Sequence, residues 1–171
     1  MTRILGSPVT RLFSLLFIFC SISAALYGQK EVVDAKSNKA VAISYINTVV
    51  NNRKLNLVND IFAPAYVFHG MDGKESHSIT DSSLISFLNY LFKAFPDLHY
   101  TIDNAIAEND LVALNLTATG THKNEFLGYA ASNNKVVFKE MFFFRFSNKK
   151  IVDGWGVVDI DGVKSQISKQ K

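Results

Sequence analysis

The chain reads as an α+β fold, with helices laid over one face of a curved antiparallel sheet, and three observations predict it. Helical periodicity occupies residues 34–95, and strand alternation takes over from residue 98. The longest alternating stretch, residues 136–161, reads as a β-hairpin with an aromatic inner face. Helices first and strands afterwards is the order of an antiparallel sheet covered on one side.

The elements follow in order. From about Asp34 to Asn52, Val41, Ile43, Tyr45, Ile46, Val49 and Val50 suit a first amphipathic helix; Leu55, Leu57, Val58, Ile61 and Phe62 suit a short second one, which Pro64 ends. Tyr66 to His69 is a short strand, and Gly70-Met71-Asp72-Gly73 turns away from it. A third helix starts at Thr80 or Asp81, either of which can cap it, and runs through Leu84, Leu88, Leu91 and Phe95 to Pro96. Strands at Leu98–Glu108 and Leu111–His122 flank an Asn109-Asp110 turn.

In the first arm of the final hairpin Val136, Phe138, Phe142, Phe144 and Phe146 share one parity, interrupted by Glu140; Val137, Lys139, Met141 and Arg145 take the other. A four-residue loop, Ser147-Asn148-Lys149-Lys150, pairs Phe146 with Ile151, Phe142 with Trp155 and Phe138 with Asp159, provided that no bulge intervenes. Trp155 and Asp159 then face the phenylalanines, while Gly154, Gly156 and Arg145 face the other way.

The N-terminus carries Arg3 and Arg11, an uncharged apolar run from Leu12 to Leu26, then small residues and Gln29-Lys30-Glu31. This layout is a signal peptide over residues 1–28, cleaved after Ala25 or Gly28, because the apolar core is short for a membrane span; an uncleaved anchor is the alternative. The protein is then expected to be exported, to a periplasm or outside the cell, and to keep no stable membrane association after cleavage. Two of the 18 Lys and Arg residues lie in that segment and none of the 15 Asp and Glu do, so the remainder is nearly neutral, which argues against a nucleic-acid partner. Cys20 is the single cysteine, so the mature chain has no thiol or disulfide chemistry. Residues 29–37 read as an exposed linker and 38–168 as one domain.

An aromatic face with one carboxylate, Asp159, is the chemistry of a small apolar pocket holding an acid/base group. Such surroundings disfavour the charged form and raise the pKa toward the working pH. The same aspartate, followed by Asp161-Gly162, also reads as a turn or capping residue. His122 continues the inward parity of Val112, Leu114, Leu116 and Ala118 and could donate to a developing oxyanion; His69, at a strand end, could orient a ligand. Both histidines read equally as structural. Tyr66, of opposite parity to His69, is a further polar candidate, and Phe142 and Trp155 are candidate pocket walls. The four histidines show no metal-ligand spacing, and Asp159-Ile160-Asp161-Gly162 fails as a calcium loop because later ligand positions fall on Val163 and Gln170. No phosphate loop, dinucleotide fingerprint or nucleophile elbow is present. Asn115-Leu116-Thr117 matches the glycosylation pattern but falls mid-strand.

Four blocks in order carry a family resemblance: Tyr66-Val67-Phe68-His69; Ala94-Phe95-Pro96-Asp97-Leu98-His99; Gly120-Thr121-His122 with Phe126-Leu127-Gly128; and Lys150-Ile151-Val152 with Trp155 and Asp159. Across residues 38–167 the chain resembles the SnoaL-like polyketide cyclase, or ester cyclase, family. The resemblance implies a cone-shaped sheet with three N-terminal helices over its concave face, as in nuclear transport factor 2. It also implies cofactor-free ring closure of a polyketide ester by aldol condensation, with Asp159 matching the family's acid/base aspartate, and a homodimer formed through the sheet. Two features depart from the pattern: the export signal, and Arg145 as the nearest residue to the histidine those cyclases carry on the strand before the tryptophan. The expected function is an exported cyclase, isomerase or lyase acting on a small hydrophobic carbonyl compound, with Asp159 as base and His122 as a donor to the oxyanion. The alternatives are a non-enzymatic small-molecule binder and a dimeric scaffold whose interior is filled.

Overall fold

A computed structural model describes residues 34–70 and 76–168. The expected signal peptide, the linker before Asp34 and Met71-Asp72-Gly73 of the expected turn lie outside the described residues. Helix α1 is α-helical over residues 34–44, so the last residues of the expected linker are helix, and it widens into π-helical turns over Tyr45–Asn51. The Thr48 hydroxyl donates to the Ser44 carbonyl where the widening begins, the kind of side-chain competition that loosens a helix. A 3₁₀ turn, Leu55–Leu57, leads into the four-residue α2, Val58–Ile61.

Strand β1 spans Phe62–Gly70, so Pro64 lies inside the strand rather than ahead of it. It is tolerated because the pairing of β1 with its neighbour shifts register between Phe62 and Val67, where a residue without an N–H costs no ladder bond. A short strand that the sequence did not signal, β2 (Ser76–Thr80), pairs back on β1. Helix α3 spans Asp81–Ala94, and the Thr80 hydroxyl caps it by accepting from the Ser83 amide at 3.3 Å. Strands β3 (His99–Glu108), β4 (Leu111–Thr121), β5 (Lys135–Ser147) and β6 (Lys150–Val158) complete the sheet, and helix α4 (Ile160–Ile167) follows. The strand order is β2-β1-β6-β5-β4-β3, with β1 and β6 parallel and the other pairs antiparallel.

The predicted parity of β4 and β5 holds. Val112, Leu114, Leu116 and Ala118 are buried on β4, and Val136, Phe138, Phe144 and Phe146 on β5, with Phe142 half-buried among them. Glu140 keeps that parity and is buried with them.

Strand β6 departs from the predicted register. The hairpin closes by a tight turn with Asn148 and Lys149 both at positive φ, so Ser147 pairs with Lys150 and Phe146 with Ile151. Arg145 then pairs with Asp153, which leaves Val152 as the extra residue of a β-bulge. Past the bulge every side chain of β6 changes face. Phe142 pairs with Gly156 and Phe143 with Trp155, so the glycines point inward and the tryptophan outward. The inward glycines have a steric reason. A Cβ on Gly156 would stand 2.7 Å from the Phe142 ring, and one on Gly154 would stand 3.2 Å from the Tyr66 ring.

Candidate functional site

Helices α1, α3 and α4 and the inner sheet face enclose a cavity of about 560 Å³, within the range of small-molecule sites. The widened turns of α1 supply Tyr45, Ile46 and Val50; α3 supplies Leu84, Phe87, Leu88 and Leu91; β5 supplies Phe138, Glu140, Phe142 and Phe144. Tyr66 and Phe68 of β1 and Tyr100 of β3 add to the polar and aromatic lining. Phe142 and Phe144 stack at 5.6 Å, and Tyr45 meets Phe62 edge-on at 5.0 Å, so the wall is an interlocked aromatic surface.

Glu140 is the carboxylate of this cavity, 7 % exposed. Burial pushes its pKa up to about 7, against an opposing effect of the hydrogen bond from Tyr100, whose hydroxyl donates to Oε1 at 3.1 Å. The second carboxyl oxygen has no hydrogen-bond partner among the described residues, nor is it itself sealed off, so it opens onto the cavity. Tyr100 is fixed in turn from α1. The Asn51 side chain accepts from the Tyr100 amide at 2.8 Å and donates to its carbonyl at 2.9 Å, which satisfies the free edge of β3. The Tyr45 hydroxyl is within electrostatic reach of the acid and of Tyr66, and both tyrosines line the cavity. Burial raises both pKa values, that of Tyr66 to about 12, so both remain protonated donors.

Asp159 stands elsewhere. It is exposed and caps α4, with Oδ1 accepting from the Gly162 amide at 3.0 Å; a Cβ on Gly162 would collide with that carboxylate. The bulge removes it from the inner face, and its capping reading is the one the structure bears out. Asp159→Ala is therefore expected to lower stability by about 1 kcal/mol, the usual loss of an N-cap, and to leave ligand binding unchanged, as calorimetric melting and titration on the same protein will show.

His122 is inward and fully buried, as its parity predicts, but it sits behind the cavity wall, against Phe95 at 5.5 Å, and is not part of the lining. Its Nδ1 accepts from the Ser132 amide at 3.3 Å and lies 3.1 Å from the Ser132 hydroxyl, pinning the segment between β4 and β5; burial lowers its pKa. Nε2 is left without a hydrogen bond among the described residues. This geometry is a structural clamp and gives His122 no line to the acid in the cavity.

Trp155 and His69 also leave the site. On the outer face their rings stack at 4.6 Å, His69 Nε2 meets Asp153 Oδ1 at 2.9 Å, and Arg145 bridges toward Asp153 and Asp110. Of the residues predicted for the pocket, Tyr66 and Phe142 line it, while Asp159, His122, Trp155 and His69 do not. The residues that sequence reasoning missed are Glu140, Tyr100 and Tyr45. Glu140 alone carried a signal, as the one polar side chain on an otherwise apolar parity. Among the described residues no group of three His, Cys, Asp or Glu side chains converges to hold a metal ion.

Solved structures with the same fold include AclR from Streptomyces galilaeus, described as a candidate hydroxylase. It is 25% identical, with a TM-score of 0.69, covering 80% of this chain and 99% of that one. A candidate SnoaL-like polyketide cyclase from Jannaschia sp. CCS1 is 18% identical, with a TM-score of 0.73, over 80% of this chain and 95% of its own. IdmH from Streptomyces antibioticus, described as a candidate polyketide cyclase, is 20% identical, with a TM-score of 0.67, over 77% and 99%. No curated protein matches the chain. The profile of the SnoaL-like polyketide cyclase family matches residues 40–167, the whole of the sheet and most of the helices around the cavity, and the chain belongs to that family.

Proposed function

We propose that the protein binds a small hydrophobic carbonyl compound in this cavity and moves a proton on it without a cofactor, with Glu140 as the acid/base group. The observation that carries this reading is the Glu140 carboxyl, buried among aromatic rings, held by Tyr100 and open to the cavity through its second oxygen. In its ionised form Glu140 takes a proton from the carbon beside a carbonyl. The electron pair of the broken C–H bond passes to the carbonyl oxygen, where the Tyr45 or Tyr66 hydroxyl donates to the developing enolate. Returning the proton to another carbon gives isomerisation; attack of the enolate on a second carbonyl, with the proton returned to the new alkoxide, gives ring closure. A pKa near the working pH suits both halves of the transfer. AclR carries a hydroxylase description on the same frame, so the fold does not choose the reaction, and the assignment rests on the carboxyl.

The test needs no knowledge of the natural substrate. In D₂O the protein is expected to accelerate deuterium exchange at the α-carbons of 2-tetralone, with a rate that rises as pH passes through about 7. Exchange no faster than in buffer, for 2-tetralone and for related aryl ketones that bind, would favour a carrier that returns its ligand unchanged. The roomy interior argues against a filled scaffold.

Export is part of the same proposal and rests on the layout of residues 1–28. A homodimer is proposed through the outer sheet face. There Phe143, Met141 and Val157 are exposed side by side, with Ile106 further along the row Ile106, Ala113, Phe143, Trp155. Phe143→Glu is expected to turn a dimer into a monomer in sedimentation velocity, and a wild-type monomer at micromolar concentration would refute the dimer.

A further inference from the structure

The cavity is chemically one-sided. Among the described residues no Lys, Arg or His lines it, and Glu140 is the one acid that does. Among the described residues the Tyr100 hydroxyl from β3 bonds the carboxyl, Tyr45 from α1 lies within reach of its charge, and Tyr66 from β1 lines the same cavity. Arg53, the cation whose charge acts on Tyr100, is committed outside the cavity. Its guanidinium donates to the Val50 and Leu98 carbonyls at 2.6 and 2.8 Å and lies 3.7 Å over the Phe92 ring. Among the described residues the buried acid thus has a free oxygen and no counter-ion, and the rings of Phe138, Phe142 and Phe144 line the same cavity.

Three ligand charges meet this arrangement differently. A carboxylate entering the cavity would lose its hydration and gain no cation, beside a carboxyl whose charge is of the same sign. A neutral molecule gains apolar burial only, plus one hydrogen bond. A protonated amine gains an ion pair with the free carboxyl oxygen and cation–π contacts with the rings, in a medium of low dielectric where both are strong. From this we infer that the cavity selects ligands by charge, taking hydrophobic compounds that bear a basic nitrogen ahead of matched neutral ones and excluding carboxylates, with Glu140 as the counter-ion. The inference rests on the cavity being a ligand site and extends that reading to the ligand's charge. An amine seated there occupies the oxygen that would accept a substrate proton, so such compounds inhibit proton transfer.

A matched trio tests it: 4-phenylbutylamine, 4-phenylbutan-1-ol and 4-phenylbutyrate, titrated into the full chain by calorimetry at pH 7.5. The amine is expected to bind at least tenfold more tightly than the alcohol, and the acid at least tenfold more weakly. In Glu140→Gln the alcohol should still bind, which shows the cavity intact, and the amine should lose its advantage. At pH 6.5, amine binding should release protons, seen as a dependence of the heat on the buffer's ionisation enthalpy, and alcohol binding should not. Alcohol binding without an amine preference, or a preference that survives Glu140→Gln, overturns the inference alone. Failure of all three probes, the alcohol included, overturns the ligand site itself and the inference with it.

Discussion

Glu140→Gln is expected to slow deuterium exchange on 2-tetralone roughly 10²- to 10⁴-fold, the contribution a positioned general base makes to proton transfer. The substitution suits the question because glutamine keeps the shape and still accepts from the Tyr100 hydroxyl, now 3.1 Å from Oε1. What it removes is the basic oxygen that opens onto the cavity. The pH dependence should vanish with the rate, since the limb through about 7 belongs to this carboxyl. Tyr100→Phe should act differently. It removes the bond that opposes the upward shift, so the limb should move to higher pH while exchange persists. Exchange at the wild-type rate in Glu140→Gln would place the base elsewhere.

The same substitution is expected to stabilise the protein at alkaline pH. Glu140 is raised from its ordinary 4.5 to about 7 in the fold, so its contribution is fully present below 4.5. Between 4.5 and 7 the unfolded chain ionises while the folded one resists, and stability falls with rising pH. The loss is complete above about 7 and amounts to about 3 kcal/mol, a large part of the net stability of a domain this size. Glutamine has no such cost. Urea unfolding should therefore show the variant gaining on wild type from pH 4.5 to pH 8, with little change of advantage below 4.5. His122 works in the other direction. Its pKa is lowered by burial, so its contribution is present above its ordinary 6.5 and is lost as pH falls, in both proteins alike. An advantage of Glu140→Gln that does not vary with pH would mean that the carboxyl is not desolvated. A stabilising change that abolishes function is the usual mark of a site held at a cost to the fold.

How far the sequence carried depends on which interactions decide each element. The alternation along β4 and β5 and the Thr80 cap were legible because they are local, period 2 in one case and a side chain three residues from its amide in the other. The face of β6 was not, because one extra residue at Val152 reverses it. A clue was present. Without the bulge, Asp153 and Asp159 would both turn inward, opposite Phe144 and Phe138, two carboxylates in an apolar core with no cation. Burying an unpaired charge costs several kcal/mol. The bulge instead sets Asp153 beside Arg145 and His69 outside and lets Asp159 cap α4.

The acid of the site was legible in the same terms and was passed over. Glu140 shares the parity of Val136, Phe138, Phe142, Phe144 and Phe146, and a polar residue on an apolar face is more informative than its neighbours. Its partners were beyond reach. Tyr100 and Tyr45 come to it from β3 and α1, through the Asn51 clamp and the widened helical turns, contacts between residues 40 or more apart. The family resemblance named the fold correctly and drew attention to the aspartate after Trp155, whereas in this chain the position opposite Phe142 is Gly156 and the carboxyl stands on the neighbouring strand.

The central claim, that the cavity's working acid is Glu140 and not Asp159, is tested most directly by carbon-detected NMR of the side-chain carboxyls across pH, with and without 2-tetralone. One glutamate resonance, absent from Glu140→Gln, is expected to titrate at about 7 and to shift when the ketone binds, while the Asp159 resonance is unmoved by it. If the Glu140 resonance titrates in the ordinary carboxylate range and ignores the ketone while that of Asp159 responds, the account is contradicted.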